Sequence, residues 1–267
     1  MSNEAFLEER SEVPEEVSLD RSRVNFVLRK RFRNLTGTRR LGIFWLALDP
    51  LVISLIYLFV FSVLRANPSI STLLIGITLY RVFSESVKSG VVSIRDFTGG
   101  FKSERVRTSV LVSSIIRFRI IDSALKSLPT AIILIVSLGT PLTGTLLYLI
   151  IAQILGLIAE GSSMNLSLLT RRVPDLSNII NHALLLGFFV SPSLYPMHLT
   201  KGLHYRFNEF NPVAHFIELS RHFCELDSEI GNIDHRIVIV FWILFLSLSV
   251  RGYYGVDRMR WELSSWS

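Results

Sequence analysis

Residues 42–64 read GIFWLALDPLVISLIYLFVFSVL. A helix crossing the hydrocarbon core needs about 20 mostly apolar residues, and this stretch supplies them. Trp45 lies near one end, where an aromatic suits the membrane interface. Pro50 lacks an N–H and suits a first helical turn or a kink, and in the first case Asp49 is a candidate N-cap. Five further apolar blocks follow. They cover 70–92, 109–138, 143–168, 176–195 and 235–255. The expected fold is therefore an all-α polytopic membrane protein with six transmembrane helices.

Upstream, VNFVLRKRFRNLTG spaces Val24, Val27, Leu28, Phe32 and Leu35 by three and four, with basic residues between them. That pattern predicts an N-terminal amphipathic helix lying in the interface. Between the fifth and sixth blocks, NPVAHFIELSRHF is a helix candidate too short and too polar to span. A short re-entrant helical region fits it, because such structure is tolerated where protein covers it. The expected division is an acidic disordered tail at 1–21, the interfacial helix at 22–40, a membrane domain at 41–258 and a cytoplasmic tail at 259–267.

Composition agrees with a membrane setting. Hydrophobic residues are 49% and charged residues 19% of 267, against about 25% charged in a soluble domain. The net charge of +6 could suggest nucleic acid, but the basic residues sit between apolar blocks and near the N-terminus. Cytoplasmic loops beside anionic lipid explain them better, so a membrane-lipid partner and no nucleic acid are expected. With six spans, 19 Lys and Arg fall on one side and four on the other. This bias predicts a multi-pass protein of the cell membrane (the inner membrane where there are two) with both termini cytoplasmic. The first 23 residues carry no apolar signal-peptide core. Cys224 is the single cysteine, so no intrachain disulfide is possible.

The charges inside apolar blocks are the unusual feature. Arg81, Glu85 and Lys88 interrupt the second block, Arg117, Arg119, Asp122 and Lys126 the third, and Glu160 the fourth. Charged side chains within a span face protein or water. Glu85 is four residues after Arg81, and Lys88 three after Glu85, so both spacings allow pairing on one helix. Arg81, Glu85, Arg117, Asp122 and Glu160 are candidates for a polar lining or for ion pairs between helices. No phosphate-binding loop of the form GxxxxGK[ST] and no HExxH occurs. The histidines at 182, 198, 204, 215, 222 and 235 have no metal spacing. No catalytic, cofactor or metal site is expected in this chain, and a transporter subunit is the expected class. A lipid-modifying enzyme using Glu85, Glu160 or a late histidine is the alternative from another class.

Three segments also carry a family resemblance: LGIFWLALDPLVISLIYLFVFSV at 41–63, RRVPDLSNIINHALLLGFFVSPSLYP at 171–196 and FNPVAHFIELSRHF at 210–223. In this order, with apolar blocks between them, they resemble the permease subunits of ABC-2 type transporters, most of all the branch exporting O-antigen, capsule and teichoic acid polysaccharides. Three departures are visible: Arg172 and Asp175 are separated by two residues, Ser220 precedes Arg221 where the family commonly has an aromatic, and the loop before the third block lacks the apolar-Pro sequence of many relatives. The resemblance implies export of lipid-linked glycan by a homodimer of this chain with two ATP-binding cassette subunits. ATP would be bound by those partners. A drug or small lipid is the alternative cargo. By the same resemblance, Arg81, Glu85, Glu160, Phe188, Phe189, Tyr195, Phe210 and Phe216 are candidates for the pathway or gate. Arg95, Asp96, Lys102, Glu104 and Arg105 are candidates for ATPase contact, as is the 22–36 helix.

Overall fold

The computed structural model describes residues 20–33, 37, 42, 44–64, 69–98, 108–226, 228, 233 and 235–255. Of the expected tails at 1–21 and 259–267 and the expected polar loop at 93–108, residues 1–19, 259–267 and 99–107 lie outside these residues, whereas 20 and 21 already belong to a helix. Described structure is helical throughout. It starts with α1 over 20–33, then α2 (Phe44–Val63), α3 (Ile70–Thr98), α4 (Thr108–Leu138) and α5 (Leu142–Met164). There follow α6 (Ser167–Arg172), α7 (Leu176–Val190), a 3₁₀ turn at Met197–Leu199, α8 (Leu203–Glu209), α9 (Pro212–Phe223) and α10 (His235–Tyr254).

Five of these helices, α2, α3, α4, α5 and α10, are long and apolar enough to cross a membrane. The block at 176–195 forms a helix only over the 15 residues of α7 and then breaks into turns. At 1.5 Å per residue α7 is about 22 Å long, short of a hydrocarbon core of about 30 Å. Its last carbonyl is nevertheless well served. Val190 O lies 2.7 Å from Tyr195 Oη, 2.7 Å from His204 Nε2 and 3.0 Å from Asn208 Nδ2. A helix end in apolar surroundings needs such donors, because its final carbonyls have no partner within the helix.

Two sequence expectations change at helix ends. α2 begins at Phe44, so Pro50 sits inside the helix and Asp49 is not its N-cap. Ser54 Oγ donates to Pro50 O at 2.8 Å in this stretch. α3 runs to Thr98, beyond the expected end at 92, so part of the basic segment after the span is helical.

The centre of the bundle is α3 against α4 and α5. Leu73, Ile77, Leu134, Tyr148 and Leu155 are fully buried there. Gly90 of α3 permits the closest approach: a Cβ there would lie 2.4 Å from Glu160 O and 2.0 Å from Ser163 Oγ. Thr78 and Thr130 bond across α3 and α4 at 2.8 Å. α10 docks through polar contacts to α5, with Asn165 Nδ2 donating to Leu248 O at 2.8 Å and Tyr253 Oη to Leu157 O at 3.0 Å. α1 lies across the start of α4. Val24 packs with Val110 and Leu111, and the Phe32 and Phe118 rings are 4.9 Å apart. The apolar edge expected to face lipid is thus partly occupied by protein, while Phe26 remains 64% exposed.

We call the end of the bundle carrying α1 the near end. It holds the start of α2 and α4 and the finish of α3 and α5. The far end carries α9.

Candidate functional site

The near end contains a network of buried charges. Arg119, Asp122 and Lys126 fall at i, i+3 and i+7 on α4, so they share one helix face. Arg119 is 1% exposed and Asp122 and Lys126 are each 2% exposed. Arg117 stands off that face and is exposed. Asp122 Oδ2 accepts from Arg119 Nη1 at 2.7 Å and from Lys126 Nζ at 2.5 Å. Arg119 Nε donates to Glu160 Oε2 of α5 at 2.8 Å. The other Glu160 oxygen accepts from Ser89 Oγ of α3 at 2.8 Å. Removing a charge from water costs several kcal/mol, so buried charges persist only when paired and hydrogen-bonded.

The network continues toward α2. Lys126 also pairs with Glu85. Arg81 reaches Glu85 at 3.7 Å and donates from Nε to Asp49 Oδ2 at 2.9 Å. The spacing of Lys88 to Glu85 does not produce a pair among the described residues; Glu85 turns to Arg81 and Lys126 instead. From α1, Arg31 lies 3.9 Å from Glu160 and 5.5 Å above the Phe118 ring. Charged side chains from five helices thereby join in one network. A cavity of ≈ 600 Å³ opens beside them, lined by Trp45 and Asp49 of α2, Arg81 to Val92 of α3, Arg119 to Lys126 of α4, and Arg31.

The far end has a second, smaller charged site. Asn211 caps α9 by accepting from Val213 N at 3.1 Å, and Pro212 occupies the first turn, where its missing N–H costs nothing. α9 is then buried almost all round. Arg221 and Glu218 are both 0% exposed and pair at 2.7 Å. Arg221 also donates to Thr72 O at 3.0 Å and to Tyr195 O at 3.2 Å. Burial pushes its guanidinium below the usual range, and the Glu218 charge opposes that. Gly76 admits this packing, since a Cβ there would lie 2.1 Å from Ser193 O. His215 Nε2 donates to Glu209 O at 2.8 Å, and burial lowers its affinity for a second proton. The Tyr195 hydroxyl is pushed up to about 12 by burial.

The residues singled out by sequence separate into these two places. Arg81, Glu85 and Glu160 join the near-end network. Phe188, Tyr195, Phe210 and Phe216 lie around α7 to α9. Phe188 packs between Tyr57 and Tyr80, and Phe216 stacks on Trp242 at 4.7 Å. Phe189 and Phe210 keep exposed rings, at 49% and 48%. Arg95 and Asp96 are in the last turn of α3; Lys102, Glu104 and Arg105 lie outside the described residues. Sequence reading missed the partnership of Asp49 with Arg81 and the closing of the network by Arg31. Their separation along the chain gives no periodic signal, although the charges inside the first four apolar blocks were themselves the clue. Among the described residues no group of three or more His, Cys, Asp or Glu could hold a metal ion.

A bundle of membrane-length helices with paired internal charges and a buried non-spanning helix defines a polytopic membrane protein. The ABC-2 type transporter family model matches residues 23–223, from α1 through the end of α9. The chain belongs to that family. No curated protein matches it significantly.

Proposed function

We propose that this chain is the permease subunit of an ATP-driven exporter of lipid-linked polysaccharide across the cytoplasmic membrane. The observation that carries the reading is the family match over 23–223. The three ordered segments at 41–63, 171–196 and 210–223 support the polysaccharide branch. ATP is bound by two separate cassette subunits, and two copies of this chain form the pathway. α2 and α10 leave broad apolar faces, with 11% of each hydrophobic window buried, which suits contact with lipid and with a second copy. The basic bias supports both termini in the cytoplasm. The near end then faces the ATPases, through α1 and the segment with Arg95, Asp96, Lys102, Glu104 and Arg105. The far end forms the outer gate, where Phe189 and Phe210 offer exposed aromatic faces to sugar, with Tyr195 beside them.

Deletion of the gene is expected to raise intracellular lipid-linked glycan, with export restored by the chain together with its cassette subunit. ATP turnover is expected only from the reconstituted complex. Unchanged glycan on deletion, with a drug or small lipid retained in its place, would replace this reading by the other cargo.

A further inference from the structure

The near-end cleft is built in two parts. Its inner wall is neutralised: Arg119, Asp122, Lys126 and Glu160 balance in charge almost without exposure, although Asp122 Oδ1 accepts no hydrogen bond. Asp49 and Glu85 are taken up by Arg81 and Lys126. The mouth differs. Lys88 lines the cleft, is exposed, and has no ion-pair partner among the described residues. The lining carries five basic side chains against three carboxylates. Glu160, reaching in from α5, leaves one positive charge in excess.

The surroundings of the mouth are apolar. Trp45 is 40%, Leu48 39% and Phe44 70% exposed on the adjoining face of α2. From Arg81 to Val92 the cleft follows α3 for about 16 Å, at 1.5 Å per residue. That is about half of a hydrocarbon core, so a cleft with its mouth at the headgroup level reaches in to about the bilayer midplane. Tryptophan favours the headgroup level, and a lysine there can reach the phosphate layer. A soluble phosphate would use the cation alone. An amphiphile uses the cation and the apolar rim together.

We propose that this cleft binds the phosphate-bearing headgroup of an anionic membrane lipid, with the phosphate at Lys88 and the acyl chains along the Trp45–Leu48 face of α2. The inference concerns a lipid of the surrounding leaflet and holds for any cargo. Binding adds a negative charge where the paired wall leaves a positive one, and holds α2 against α3 at the end nearest α1.

The test is native mass spectrometry on the full chain purified in detergent and titrated with phosphatidylglycerol or phosphatidylcholine. Phosphatidylglycerol is expected to be retained in preference. Lys88→Glu should lower its retention by at least about fivefold, from the attraction of one basic side chain to anionic lipid. Lys88→Arg should retain it. Lys88→Gln, which introduces no new charge, guards against a folding defect and should also lower retention. Equal retention of both lipids, or of phosphatidylglycerol by all three variants, would overturn the site. Competition by glycerol phosphate at equal concentration would assign the site to a soluble phosphate and overturn the lipid.

Discussion

The two ends of the bundle bury charge in different ways. At the near end, charges from α1, α2, α3, α4 and α5 converge, and pairs within α3 and α4 are joined by others that run between helices. At the far end, Arg221 and Glu218 are one turn apart on α9, and the remaining donors go to main-chain carbonyls. The near-end network surrounds a cavity, whereas the far-end pair is sealed. A multi-helix network holds only while its helices keep their relative positions. A local pair travels with its helix. A shift between helices should therefore disturb the near-end ion pairs and leave the Arg221–Glu218 pair on α9 intact.

The largest effect should come from cutting the shared network. Arg119→Ala leaves Glu160 without its closest cation and Asp122 with Lys126 alone, and removal of one member of a buried pair costs about 3–5 kcal/mol. Thermal unfolding in detergent should show a large loss of stability. The Arg119→Met, Glu160→Gln double variant should recover part of it. A loss no larger than that of an exposed Arg117→Ala control would break the contrast between the two ends.

Gly76→Ala should be next. Its Cβ meets the Ser193 carbonyl, and overpacking of this kind costs about 1–3 kcal/mol. The expected result is faster amide exchange confined to 191–223, with α1 and the start of α4 unchanged. Exchange rising equally at both ends would mean that the far end does not move as a separate unit.

Arg31→Ala is expected to cost about 1 kcal/mol, from its position over Phe118 and its distant pairing with Glu160. The readout is exchange of α1 amides, which should quicken while α9 stays protected. Such a result would sharpen the role of Arg31 as the tie between α1 and the bundle.

The smallest effect is that of pH on His215. Burial lowers its folded pKa below the ordinary 6.5. The neutral ring therefore stabilises the fold fully above about pH 6.5, and that contribution declines as pH falls toward the folded value. Mild acid should increase exchange in α9 before it affects the near end. His215→Gln, which keeps a donor for Glu209 O, should remove most of this pH dependence.

How much of this was legible in the sequence varies by element. The long apolar blocks became α2, α4, α5 and α10 with little change, because hydrophobicity over about 20 residues is a local property. α9 was readable from Asn211-Pro212, a cap and a first turn side by side. The block at 176–195 was less so. Its composition says membrane, yet α7 stops at Val190, where side chains from 195, 204 and 208 receive the open carbonyl. Asp49 misled for a similar reason: before a proline it reads as a cap, and its actual partner is 32 residues away.

By itself, the sequence determined that the chain is helical, that it is apolar enough for the membrane, and that four of its apolar blocks carry internal charges needing partners. Burial in hydrocarbon leaves no other outcome for such residues, since an unpaired charge there is too costly. Only the tertiary structure decided which charges meet. Partner choice depends on helix rotation and approach, and those are set by packing, as where Gly90 brings α3 against α5 beside Glu160. It also decided that one set of charges would frame a cleft at the near end while the other sealed α9 into the far end.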